Sequence, residues 1–126
     1  MPASSTVLIV DGANVVGSRP DGWWKDRAGA AQRLHERLMT ADLPQDLVVL
    51  VLEGAAKPGV RAGRDGHVLT VHAKGSGDDT IVAEAKSAAE RGDRVTVVTA
   101  DRILMGRVEH YGASVMTPSW LLGEID

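Results

Sequence analysis

The sequence predicts an α/β domain whose parallel sheet of about five strands is covered by helices on both faces, a three-layer α/β/α sandwich. Two observations lead there. Short, β-branched apolar runs recur at 6–10, 47–52, 68–72, 95–99 and 113–116, several of them nearly continuous in Val, Ile and Leu. Runs without a polar face suit strands buried on both sides, and their shortness favours strand over buried helix. The second observation is alternation: amphipathic segments separate these runs, the pattern of β-α-β units with right-handed crossovers.

The first run, TVLIV, leads directly into Asp11. The stretch WWKDRAGAAQRLHERLMTA then places Trp24, Ala28, Ala31, Leu34 and Leu38 at helical spacing, with Arg27, Arg33, Glu36 and Arg37 facing away. This reading puts Trp24 in the core and His35 toward solvent. After the second run, residues 54–66 hold four glycines and one proline without a period, the signature of an exposed, mobile loop. A second helix opens near Asp78, with acids in its first turn, Ile81, Val82, Ala85 and Ala89 inward, and Gly92 after its end. A third spans 102–111 and stops at Gly112, and Pro118 opens a short helical turn to Leu122. The first five residues read as a loose terminus.

Length and composition agree with one domain over residues 1–126. With 44% hydrophobic and 25% charged residues the chain matches an ordinary globular protein, and no apolar run reaches the ~20 residues of a membrane span. Cysteine is absent, which excludes disulfides and thiolate metal sites. The N-terminus lacks the basic segment and long apolar run of a secretory signal, so a cytoplasmic location is expected. Net charge is −3, too small and of the wrong sign to gather polyanions from a distance. Basic residues nevertheless concentrate between Lys57 and Lys74, where Lys57, Arg61, Arg64 and Lys74 face only Asp65 as an acid.

Open parallel sheets bind ligands beyond the carboxyl ends of their strands. Here those positions are acidic: Asp11 follows the first run, Glu53 the second, Asp101 the fourth, and Asp78 and Asp79 head the helix after the third. Any one of them is accounted for by turn or cap chemistry. Convergence at one end of one sheet is not, because like charges repel and a hard divalent cation is the usual remedy. Carboxylates without cysteine or paired histidine select Mg²⁺ or Mn²⁺ over zinc. His67 and His72 stand near the basic loop as polyanion donors or plain surface residues, and His110, like His35, is read as solvent-facing. Asn14, three residues after Asp11, has an amide that can hold a carboxylate or a phosphate oxygen, or stabilise the turn. Ser76 lies in KGSGDDT, a loop entering a helix N-terminus whose free N–H groups can bind phosphate. Trp23 is read as a surface for base stacking or as an apolar plug.

Three motifs together resemble the PIN-like nucleases, in particular the YacP-like members of the NYN group: DGANVVG at 11–17, GSGDDTIVAEA at 75–85 and TADRIL at 99–104. The resemblance covers nearly the whole chain. It implies strand order 3-2-1-4-5 and a metal-dependent ribonuclease acting on RNA. By motif position, Asp11, Asp78, Asp79 and Asp101 would be the metal and catalytic acids, with Asn14 as the polar partner of the first. Arg61, Arg64, Lys74, Ser76 and Asn14 would bind the RNA backbone. Strand two ends in Glu53 where relatives often show Asp. Two other readings compete. A haloacid-dehalogenase-type phosphatase also begins with a strand running into aspartate, but it needs a second acid two residues on, and position 13 is Ala. A non-catalytic RNA- or partner-binding module would retain the acids as structural residues.

Overall fold

The structure is a computed structural model that describes residues 5–126, so most of the expected loose terminus lies outside the described residues. Strands β1 (Thr6–Asp11), β2 (Leu47–Leu52), β4 (Val68–His72), β5 (Arg94–Val98) and β6 (Ser114–Met116) pair in parallel, and β3 (Gly63–Asp65) adds an antiparallel edge to β4. The sheet order is β3-β4-β2-β1-β5-β6. Setting β3 aside, this is the expected 3-2-1-4-5 arrangement.

Alternation along the strands distributes the core between two layers. Leu8, Val10, Val48, Leu50 and Leu52 face a cluster with Ala30, Ala31, Leu34 and Leu38 of helix α2 (Arg27–Thr40), joined by α1 (Gly12–Gly17) and α5 (Pro118–Ile125). On the opposite face Val7, Ile9, Val49 and Val51 meet Ile81, Ala85 and Ala88 of α3 (Gly77–Glu90) and Leu104 and Val108 of α4 (Arg102–Glu109). Both faces of the central strands β1 and β2 are apolar, as their continuous runs required.

The structure corrects several expectations. The sheet has six strands rather than five, because residues 54–66 are not an irregular loop. Gly54–Gly59 forms 3₁₀ turns, and β3 then folds back onto β4 with Arg64 opposite Leu69. The signal was masked by glycine: Gly59 lies so close to α2 that a Cβ would collide with the Ala28 carbonyl. Helix α2 starts at Arg27 behind an Asp26 cap that accepts from the Gly29 N–H, so the preceding tryptophans leave its register. Trp24 is consequently 56% exposed rather than core, while Trp23 packs against the apolar cluster. Ala88, not Ala89, is the buried residue in the last turn of α3, and α5 continues to Ile125. His35 is half-buried, its Nε2 3.6 Å from Asp65 of β3, rather than solvent-facing.

Candidate active site

Asp11 ends β1 and caps α1, a short helix not read from the sequence. Gly12 is required there because a Cβ would lie 2.6 Å from the Val51 carbonyl oxygen of β2. The chain therefore turns tightly enough to leave the Asp11 carboxylate facing the strand ends, only 4% exposed. Its Oδ2 accepts from Asn14 Nδ2 at 2.9 Å and from Thr99 Oγ1 at 2.8 Å, while Oδ1 accepts from the Asn14 N–H. Asn14 Oδ1 in turn accepts from the Ala100 N–H at 3.2 Å. One amide side chain thus ties the first acid to the loop after β5.

That loop carries Asp101, the cap of α4, whose Oδ1 accepts from the Ile103 and Leu104 N–H groups. Thr99, fully buried, links the two acids: it donates to Asp11 and accepts from the Asp101 N–H at 3.1 Å. Sequence reasoning gave Thr99 no role. The signal was in the pairing, since Val10 sits beside Val98, and Asp11 and Thr99 are the residues that follow them.

Across the site, Ser76 caps α3 and accepts from the Asp78 N–H at 3.2 Å. Glu53 Oε2 accepts from the Gly77 N–H at 2.8 Å, so the acid ending β2 anchors the start of α3. Asp78 and Asp79 diverge. Asp78 feels the negative charges of Asp101 and Glu53, whereas Asp79 projects outward, 77% exposed, and accepts from Arg107 at 3.0 Å.

Burial is the first cause that raises the Asp11 pKa above the ordinary carboxylate range; hydrogen bonds from Thr99 and Asn14 oppose it, and the Asp78 charge adds to it. Asp78 is raised chiefly by burial and then by Asp101 and Glu53, against the pull of Arg107. Mutual repulsion among carboxylates is thus built into the strand ends. Among the described residues, however, no group of three or more His, Asp or Glu side chains stands ready-made as a metal cage.

The basic residues divide by height on the sheet. Lys74 lies just beyond β4, and Arg61 comes two residues before the Gly63–Thr70 pair, both toward the acid end. Arg64 is halfway down the edge, and its Nε donates to the Gly66 carbonyl at 2.9 Å. His72 and His67 are structural: their Nε2 atoms bond the Val60 and Leu38 carbonyls at 2.7 and 2.9 Å.

The profile of the YacP-like NYN domain matches residues 8–126. The chain belongs to this family. Two crystal structures of Rae1 (YacP) from Bacillus subtilis, one of them a mutant, share its fold. The mutant superposes with TM-score 0.74 at 20% identity, covering 95% of this chain and 74% of the other; the second gives 0.75 at 21%, covering 94% and 72%. No curated protein matches in sequence. The NYN assignment runs through all three motifs, so Asp11, Asn14, the Ser76–Asp79 segment and the Thr99–Asp101 loop all belong to the matched region.

Proposed function

We propose that this NYN domain is a ribonuclease hydrolysing RNA phosphodiester bonds with the help of Mg²⁺ or Mn²⁺. Family membership supports a nuclease-type function. The observation that carries the finer reading is the placement of Asp11, Asp78 and Asp101 at adjoining strand and helix ends, with charges that oppose one another.

The donor set fits a hard divalent ion: the acids supply only carboxylate oxygens, the chain has no cysteine, and His72, which ends β4, has its Nε2 bonded to the Val60 carbonyl. An open arrangement also suits Mg²⁺, which keeps several waters and takes one or two carboxylates directly. Asp11, Asp78 and Asp101 would hold it, Asp101 through the oxygen not engaged in capping, and Asp79 would contribute only by leaving Arg107. A bound ion supplies charge neutralisation at the phosphate and an acidified water.

The chain's own groups do the rest. Thr99 and Asn14 fix the Asp11 carboxylate in one orientation, so no reorganisation is needed when charge develops. Asn14 and Ser76 orient phosphate oxygens beside the acids. Lys74 and Arg61 take the flanking backbone by charge, without reading sequence, and Arg64 guides RNA from farther down the edge.

Incubating the protein with single-stranded and structured RNA in Mn²⁺, with and without chelator, tests the reading. Cleavage that stops in chelator and in Asp11→Asn is the expected result. RNA binding without cleavage in any divalent metal would instead assign the chain to a binding module.

A further inference from the structure

Beside the acids lies a cleft of about 300 Å³ that the reaction chemistry does not use. Its walls are mainly apolar: Val16 of α1, Leu52 at the end of β2, Ala55 and Ala56 of the 3₁₀ turns, and Trp23. Arg27 stands at the same cleft with its guanidinium 5.0 Å from the centre of the Trp23 ring. Gly12 and Glu53 also line it, so the cleft begins one residue from Asp11 and shares its rim with the acid that anchors α3. Gly75 closes the far side, next to Ser76, and a Cβ there would meet open space.

This combination selects its occupant. A phosphate is disfavoured, because the Glu53 carboxylate stands on the rim and the Arg27 guanidinium lies over the Trp23 ring. A flat, weakly polar ring is favoured: single-stranded RNA is held by stacking unpaired bases on aromatic side chains and on arginine planes. The volume matches the lower end of small-molecule sites, enough for one base and not for a duplex. Resting on the ribonuclease reading, we propose that the cleft between Trp23 and the 54–59 turns seats the nucleobase adjoining the phosphate to be cut. Trp23 and Arg27 are the residues on which that base stacks. The enzyme then requires an unpaired base at that position, since a base held in a duplex cannot turn into the cleft.

The test compares two RNA pentamers carrying the same phosphates, one with all bases and one fully abasic, by fluorescence anisotropy in chelator. The base-bearing oligomer is expected to bind roughly 5- to 160-fold more tightly, the range of one stacked base. That preference should be lost in Ala55→Leu, which fills the cleft from an exposed position, and in Trp23→Leu, which removes the ring. Because Trp23 also packs against the core, Ala55→Leu keeps the test decisive if Trp23→Leu is poorly folded. Lys74→Ala should weaken both oligomers equally. Equal binding of both oligomers by the parent protein, or a preference that survives in Ala55→Leu, would overturn the cleft assignment alone. Failure to bind either oligomer, together with failure to cleave RNA in Mn²⁺, would overturn the ribonuclease reading with it.

Discussion

The Thr99 hydroxyl lies 2.8 Å from Asp11 Oδ2, joining the ends of two neighbouring parallel strands through one proton. Because Oγ1 also accepts from the Asp101 N–H, it sets the spacing of two acids at once.

Thr99→Val keeps the shape and removes that proton. A hydrogen bond to a charged group contributes about 1.5–3 kcal/mol, so denaturant unfolding at neutral pH should show a loss of about 2 kcal/mol. Thr99→Ser should lose much less. The Thr99→Val deficit should shrink in acid, where Asp11 becomes protonated and no longer needs the donor. A pH-independent deficit would show that the methyl packing, not the hydroxyl, is what Thr99 contributes.

Asp11 and Asp78 both have folded-state pKa values above their unfolded ones. The folded protein therefore holds these protons more tightly than the unfolded chain does. Their contribution to stability is present below the unfolded carboxylate pKa, near 3.9, and is lost as pH rises through the folded values. In chelator, Asp78→Asn should thus melt above the parent at pH 7, with the gap closing below about pH 4. Melting curves across that range check the sign; a variant that melts lower at neutral pH would contradict the repulsion.

The two acids heading α3 should differ in activity. Asp78→Asn should cut RNA cleavage by about 100-fold or more, the usual cost of removing a preorganised charge at the reaction centre. Asp79→Asn removes only an exposed pair with Arg107, worth under about 1 kcal/mol, and should stay within several-fold of the parent in rate and melting temperature. Steady-state rates for the two variants in Mn²⁺ decide; equal losses would mean that Asp79 leaves Arg107 when RNA and metal bind.

Gly12→Ala tests the tight turn. Its Cβ would press on a backbone carbonyl at 2.6 Å and on Leu52 at 2.9 Å, neither of which can swing away freely. Overpacking of this kind costs about 1–3 kcal/mol and should displace Asp11, so stability and cleavage should fall together. Thermal unfolding and an activity assay on the one variant measure both.

The central strands and the large helices were legible because a buried parallel sheet leaves an unambiguous mark, a run of Val, Leu and Ile with no polar phase. Asp11, Glu53 and Asp101 were legible for the same reason, each as the first polar residue after its run. What stayed hidden depends on tertiary contact. Asp11–Gly17 reads as a turn, and only the packing of Gly12 on β2 makes it a helix. The β3 segment has no apolar face of its own and is a strand solely because β4 offers an unpaired edge. Trp24 is in phase with α2 by spacing alone, but the Asp26 cap makes Arg27, three residues later, the first residue of the helix. Thr99 carries no motif-level signal, since its value lies in which residue stands beside it on the next strand.

The hairpin of β3 onto β4 has a consequence for how the protein survives in concentrated solution. Without it, β4 would end the sheet as a five-residue ladder of VLTVH with open N–H and C=O groups, an invitation to a second molecule. The covering strand is three residues long, fully exposed, and carries Arg64 and Asp65, so it offers a newcomer little length, charge in place of apolar side chains, and a glycine at Gly63. The same glycine-rich insert that obscured the fold in the sequence thus blunts one of the two edges of the sheet, while the three-residue β6 forms the other.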